Sequence, residues 1–450
     1  MHSTHVNEKK APNKRDILRI AREREVRFVR LTFVDILGVS KNVTIPATEL
    51  ERALDGGVTF DGGSIDGFMR GEEADMVLRP DPATFAVAPW SSGNAVEARL
   101  ICDIVSADGE PFEGCPRTTL KRVIEDSRDV LRGVLSGLEL EFYLFEIDGG
   151  GDPRPPSSDC GSYFDHSAVD KGEDARIAIV SALEAMGIGI ASAHHEHGAG
   201  QHEIDFKDAG ILATADNLIA ARIAAKHVAG LHGLVATFMP KPLESLAGSG
   251  VHVYFTLPAS AAADEAPLAE GELHQDTLFA IGGLLAHAPA FTAICNPLVN
   301  SYKRLVAAWD APIYTAWSYR SANSLVRIPE EGPGRPRLEV RSADPSCNPY
   351  LALAVLVTSM ANGIRQHTLP GDPLTGSTYD LTDRARSERR IRLLPKSLRQ
   401  AIVELDADPI VRGALGDHIY HAFRDAKLAE YERYRRAVHP WEREAYLRIY

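Results

Sequence analysis

From Val26 to about Ala107, apolar and polar residues alternate in short runs, the period-two signature of strands with one buried face. Val29, Leu31 and Phe33 alternate, Asn42 to Pro46 forms a brief run, and Phe85 to Val87 and Ala95 to Val105 follow. Between them Pro46 to Leu54 has helical spacing and opens with proline in its first turn. These elements predict a small mixed sheet carrying one helix. The pattern changes near Gly114-Cys115-Pro116-Arg117, which places a domain boundary at about residue 112. Beyond it a helix is expected from Thr118 to Leu131 and a strand from Ser136 to Glu146. Long helices are expected at Asp174–Met186, Ala213–Leu231, Asp276–His287, Pro349–His367 and Gly416–Ala437. Gly149–Pro156 and Glu331–Pro336 read as loops. There is no internal repeat. The second domain is therefore a large α/β unit with many polar strand positions.

Those polar positions carry the chemistry. Leu138, Leu140 and Phe142 share one strand face, which leaves Glu139 and Glu141 together on the other. Two carboxylates on one face repel unless a cation lies between them, although an exposed edge strand has the same pattern. Arg337-Leu338-Glu339-Val340-Arg341 repeats the arrangement with a carboxylate between two guanidiniums. That suits a site for metal, phosphate and substrate carboxylate, or equally a surface ion-pair ladder. Gly248-Ser249-Gly250-Val251-His252 lets backbone approach a ligand closely and then starts an alternating strand. Asp61-Gly62-Gly63-Ser64 in the small domain is ordinary turn chemistry, but acidic. The densest segment is His194-His195-Glu196-His197-Gly198-Ala199-Gly200-Gln201-His202-Glu203, with four potential imidazole ligands and two carboxylates. It holds almost nothing apolar, so burial in a core is not expected, and coordination of hard cations is its sensible use.

Composition narrows the classes. Of the 450 residues, 44% are hydrophobic and 25% charged, ordinary for a soluble enzyme of two domains. A formal net charge of -13 argues against nucleic acid or an anionic membrane as partner. No apolar run approaching a membrane span is expected, and Met1 to Arg15 is a polar, basic tail, expected to be disordered, without a secretory signal. The five cysteines stand singly, which favours reduced thiols in a cytoplasm.

In this order the motifs resemble those of the type I glutamine synthetases, from about Asp16 to Tyr450. The carriers are Phe60–Phe68, Ala74–Leu78, Leu138–Phe142, His194–Phe206, Lys241–Leu243 with Gly248–His252, Asn300–Val306 and Arg337–Tyr350. The resemblance implies an α+β fold: a small N-terminal β-grasp-like domain over 16–112 and a large catalytic α/β domain with an antiparallel sheet over 113–450. It implies a homo-oligomer, a dodecamer of two hexameric rings, with each active site between neighbouring subunits and Asp61 acting in trans. One Mg²⁺ or Mn²⁺ would be bound by Glu141, Glu196 and Glu203, the other by Glu139, His252 and Glu339. Arg304 and Arg341 would hold the glutamate carboxylates, with Gly248 near its amine. Tyr254, Thr256, Arg327 and Arg337 match the ATP side, while Asp61, Ser64, Tyr163 and Glu196 match the ammonium pocket. Arg70 matches a position that senses feedback ligands in one branch of the family.

Four positions depart from the family pattern. The flap reads Ala308-Trp309-Asp310, with Asp310 where glutamate is usual; Ala322, Ala247 and Tyr254 replace an arginine, an asparagine and a histidine. The implied activity is an ATP-dependent ligase that joins glutamate to ammonia through γ-glutamyl phosphate. The alternatives are a larger primary amine as acceptor (polyamine, ethanolamine or alkylamine) and a non-catalytic structural or regulatory paralogue.

Overall fold

The computed structural model describes residues 12–65, 75–91, 95–148, 150–154, 159–166, 168–257, 273–308, 310–329 and 337–450. The small domain contains β1 (Phe28–Val34), β2 (Ser40–Pro46), β3 (Val58–Asp61), β4 (Asp75–Pro80), β5 (Ala86–Val87) and β6 (Glu97–Ser106). They form a sheet in the order β2-β1-β6-β4-β3, with β5 beside β6. β1 runs parallel to β6 and the other pairings are antiparallel, so the sheet is mixed. The expected helix is a single turn at Ala47–Glu49 followed by Leu50–Gly56. The first helix, Lys14–Glu23, is held by an Asn13 capping box, so it begins inside the tail expected to be disordered.

The large domain adds β7 (Leu135–Ile147), β8 (Pro153–Arg154), β9 (Ile190–His195), β10 (Gln201–Gly210), β11 (Leu234–Thr237), β12 (Val251–Thr256), β13 (Trp317–Ser318), β14 (Val326–Arg327) and β15 (Arg337–Val340). Their order is β13-β14-β15-β12-β7-β10-β9, with β8 and β11 also on β7. Every pairing is antiparallel except β13 with β14. Apolar side chains of one face (Leu138, Leu140, Phe142, Ile204, Phe206, Val251, Val253, Phe255, Leu338, Val340) join the core. The helices Ile211–Leu231 and Glu173–Ala185 lie along that side of β7, β10 and β9. The opposite face is left for polar residues.

Two differences from the sequence expectation matter. Asp276–His287 was expected as a helix, but the helix runs Gln275–Cys295 with Pro289 inside it. By length and composition it could cross a membrane, contrary to the expectation of no such run, yet 78% of its apolar window is buried inside the protein. It is a core helix, packed against Pro349–Gln366. The domains are joined by charge as well as apolar contact. Arg117, 3% exposed, bonds Asp81 and Asp103 of the small domain and Asp216 of the large one, at 2.7–3.0 Å. Asn348 caps the helix Pro349–Gln366 and donates to the carbonyl of Asp35 at 3.0 Å.

Candidate active site

Strand register assembles the polar face. His252 on β12 lies opposite Glu139 on β7, and Glu203 on β10 lies opposite Glu141. Beyond them His194 on β9 faces Glu203, while Glu339 on β15 faces both Tyr254 and Arg327. Cross-strand partners sit about 5 Å apart at Cβ, close enough for their donor atoms to converge. Donor atoms of Glu139, His252 and Glu339 all lie within 4.8 Å of one another, as do those of His194, Glu196 and Glu203. His252 Nδ1 is 2.7 Å from Glu139 Oε2 and 3.7 Å from Glu339 Oε1. His194 Nε2 is 3.2 Å from Glu203 Oε1, and its Nδ1 is 3.7 Å from Glu196 Oε1. Glu141 stands between the two groups: its Oε2 accepts from the Gly250 N–H at 2.9 Å, and its Oε1 is 3.5 Å from His252 Nε2.

The electrostatics are those of too much negative charge in one place. Burial, and then the Glu141 carboxylate, push Glu196 up to about 8. Burial and the charges of Glu139 and Glu141 also raise Glu203 well above the usual carboxylate range. Burial opposes ionisation of Glu139, but hydrogen bonds from His252 and Tyr254 outweigh it and hold Glu139 near 2, at about 2. A divalent cation would supply the missing positive charge, and oxygen donors with an imidazole fit Mg²⁺ or Mn²⁺ better than zinc.

Guanidiniums frame the carboxylates. Arg327 and Arg341 both bond Glu339. Arg337 lies across the Tyr254 ring with its guanidinium carbon 4.0 Å from the centroid, and Thr256 bonds Asp208 at 2.7 Å. Arg304 is buried behind the Gly248–Gly250 turn and donates to the carbonyls of Ser342 and Arg341 at 3.0 and 3.1 Å. A Cβ on Gly250 would stand 2.5 Å from Arg304 Nη2, so a side chain there would push that guanidinium from its place.

The histidine-rich segment departs from expectation. Only His194 of its four imidazoles joins the carboxylates of this face, while His195 belongs to a separate buried group with Asp159 and Asp170. His195 and His202 are fully buried on the other side of the sheet. His195 is within 3.2 Å of Asp159 and 2.6 Å of the Glu196 carbonyl, and His202 within 2.8 Å of Arg176. Polar partners, rather than apolar neighbours, make that burial possible. His197 stacks on Tyr163 at 4.9 Å between centroids. His194 was among the four potential imidazole ligands, whereas Asp205, which shares a donor group with Glu139 and Glu203, was not singled out from sequence. The alternation Gln201, Glu203, Asp205 along β10 was the available signal.

Asp61 accepts from the Gly63 N–H and the Ser64 hydroxyl, both at 2.8 Å, and these bonds keep it on the exposed turn of its own small domain. Asp310 is exposed with φ 57°, a left-handed conformation that aspartate tolerates. Ala247 is buried and its carbonyl accepts from the Tyr143 hydroxyl at 2.7 Å. Trp309 and Arg70 lie outside the described residues.

Known proteins resemble this chain over nearly its whole length. The family model described as "Glutamine synthetase, catalytic domain" matches residues 113–446, and that described as "Glutamine synthetase, beta-Grasp domain" matches 25–107. Glutamine synthetase of Thermus thermophilus is 46% identical over 446 residues, 97% of this chain and 99% of the relative. That of Methanosarcina mazei is 43% identical over 443 residues, 98% of this chain and 99% of the relative. A solved structure described as "GmaS/ADP complex-Conformation 1" superposes with TM-score 0.84 at 31% identity, over 96% of this chain and 99% of that one. With motifs, fold and full-length likeness in agreement, the chain belongs to the glutamine synthetase family of ligase enzymes.

Proposed function

We propose that this enzyme forms the γ-amide of L-glutamate from glutamate and ammonia, with ATP as co-substrate. The observation that carries the reading is the single sheet face on which two donor groups, Glu139 with His252 and Glu339 and His194 with Glu196 and Glu203, meet Arg327, Arg337 and Arg341. A carboxylate cannot be attacked directly by an amine, because oxide would have to leave. The γ-carboxylate oxygen therefore attacks the terminal phosphorus of ATP, and ADP departs. Ammonia then attacks the acyl carbon, and phosphate leaves with the original oxygen. Arg327, Arg337 and Arg341 spread the phosphoryl charge, and Arg304 with Arg341 orients the glutamate. Glu139, His252 and Glu339 would hold one Mg²⁺ or Mn²⁺; Glu141, Glu196 and Glu203, with His194 beside them, would hold another. Bound there, the cations supply further neutralisation of phosphoryl charge. Ammonium is held by Glu196 and Tyr163 together with Ser64 and Asp61 of a neighbouring subunit, Asp61 accepting its proton and Asp310 on the flap excluding water.

An assembly of identical chains, as two stacked hexameric rings, fits two features. The Asp61 turn projects from the small domain, and the C-terminal end presents Trp441 and Leu447 at 65% and 72% exposure. A cytoplasmic setting fits five unpaired cysteines. The charge of -13 speaks against nucleic-acid or anionic-membrane partners. A non-catalytic role is disfavoured because a scaffold has no use for so many buried carboxylates.

The second reading, a larger primary amine as acceptor, is favoured by Asp310, Ala247 and Ala322, each shorter than the side chain usual in the family. Phosphate release from ATP and glutamate, compared for ammonia, methylamine, ethanolamine and putrescine, separates the two. Ammonia is expected to give the highest kcat/KM. An organic amine preferred by tenfold, about 1.4 kcal/mol of transition-state stabilisation, would establish the second reading instead.

A further inference from the structure

Tyr254 lies one pleat beyond His252 on the same face of β12, opposite Gly137 on β7 and Glu339 on β15. It is 5% exposed, so its hydroxyl needs a partner inside the protein. That partner is Glu139 Oε1. The other oxygen of the same carboxylate, Oε2, is the one 2.7 Å from His252 Nδ1. One oxygen of Glu139 is thus turned toward the His252–Glu339 group and the other is tied back to the phenol. Against the phenol ring lies the Arg337 guanidinium, whose Nη2 is 2.8 Å from Asp208 Oδ1. Gly137 makes room for this crossing: a Cβ there would stand 2.8 Å from Arg337 Nη2 and 2.5 Å from Asp208 Oδ1.

We propose that Tyr254 is a positioning residue with two separable actions. Its hydroxyl sets the rotation of the Glu139 carboxylate toward the cation held with His252 and Glu339, and its ring sets where Arg337 lies over the sheet. The inference rests on the reading of Glu139 as a cation ligand. A carboxylate that can turn freely must be ordered when it binds, whereas one already tied at its outer oxygen presents the inner one in place. A guanidinium stacked on an aromatic ring keeps its N–H groups in one plane and directed outward from the ring. The two actions use different atoms of one side chain, so substitution can divide them. Tyr254→Phe keeps the ring and releases Glu139. Tyr254→Leu releases both.

The test is Mn²⁺ binding to the chelator-treated, full-length assembly, read from the spin-resonance signal of free Mn²⁺, together with ADP binding at saturating Mg²⁺. Tyr254→Phe is expected to weaken one Mn²⁺ site by about tenfold while ADP affinity stays within about twofold of wild type. Tyr254→Leu should lose the same Mn²⁺ affinity and bind ADP about three- to fivefold more weakly. Arg337→Ala should weaken ADP binding and leave Mn²⁺ binding unchanged, and with Tyr254→Phe it decides the matter should the leucine variant not assemble. Wild-type Mn²⁺ affinity in Tyr254→Phe overturns the hydroxyl's role, and wild-type ADP affinity in either Tyr254→Leu or Arg337→Ala overturns the ring's. Glu139→Ala is the control: it should remove one Mn²⁺ site outright. If it does not, the reading of Glu139 itself fails, an outcome distinct from failure of Tyr254→Phe alone.

Discussion

Glu139 and Glu196 are identical side chains on one site, and their surroundings push them in opposite directions. Glu139 is held at about 2, its burial outweighed by bonds from His252 and Tyr254. Glu196 is raised to about 8 by burial and the neighbouring Glu141 charge, and Glu203 is raised for the same kinds of reason. A group with a raised folded-state value adds stability that is fully present below the unfolded carboxylate range, about 4.3. That contribution is lost as pH climbs through the folded value. Cation binding at these carboxylates, as proposed, would expel the same protons. Mn²⁺ affinity should therefore rise between pH 6 and pH 8, and binding at pH 7 should release about one proton or more per subunit. Calorimetry in buffers of different ionisation enthalpy measures this; zero net release would show that Glu196 and Glu203 are already ionised. These tendencies were only half legible in the sequence. The Glu139–Glu141 alternation shows two carboxylates on one face, but Glu196 and Glu203 reach them through folding.

At the level of elements, the helices Gln275–Cys295 and Pro349–Gln366 meet through glycines. A Cβ on Gly363 would fall 2.2 Å from the Phe279 carbonyl oxygen and 2.6 Å from Gly283 Cα, both backbone atoms that cannot swing aside. Gly363→Ala should therefore destabilise the protein by about 1–3 kcal/mol, the usual range for overpacking. Thermal unfolding against wild type checks it, with Gly413→Ala, where the added carbon meets nothing within 4 Å, as the control. An unchanged midpoint for Gly363→Ala would mean the helices can separate at no cost. The first of these helices shows where local pattern stops short. Pro289 argues for a helix end because it lacks an N–H, yet burial around the helix carries it on to Cys295. The β9–β10 hairpin was missed for the opposite reason. His195 and His202 occupy core-side positions that local hydropathy assigns to solvent.

For the whole molecule, the proposed acceptor pocket draws its residues from both domains. Asp61 and Ser64 bond to each other on the small domain, while Glu196 and Tyr163 belong to the large one. If each site is shared between neighbouring subunits, inactive Asp61→Asn chains and inactive Glu339→Ala chains should restore activity when co-assembled, up to about a quarter of wild type in randomly mixed rings. The measurement is turnover of hybrids whose composition is verified by mass. Hybrids with no activity would place Asp61 in its own subunit's site. Within one chain, Arg117 fixes the small domain against the large one through three carboxylates. Removing this buried guanidinium would leave Asp81 and Asp216 without its charge, while Asp103 keeps Lys121.

The sequence by itself determined which side chains share a face within a strand, because the period of two is local and strict: Glu139 with Glu141, Glu339 with Arg337 and Arg341. It also determined the family, since several motifs occur in one order along the chain. Only the tertiary structure decided which strands are neighbours and in what register. Glu139 meets His252 across 113 positions, and Glu141 lies near Gly250 across 109. Nothing in a local window encodes such a pairing, because its free energy comes from burying the far face of the sheet against helices elsewhere in the chain. The charge states follow from the same cause. Burial and crowding raise Glu196 and Glu203 and tie Tyr254 to Glu139, and both depend on the completed sheet.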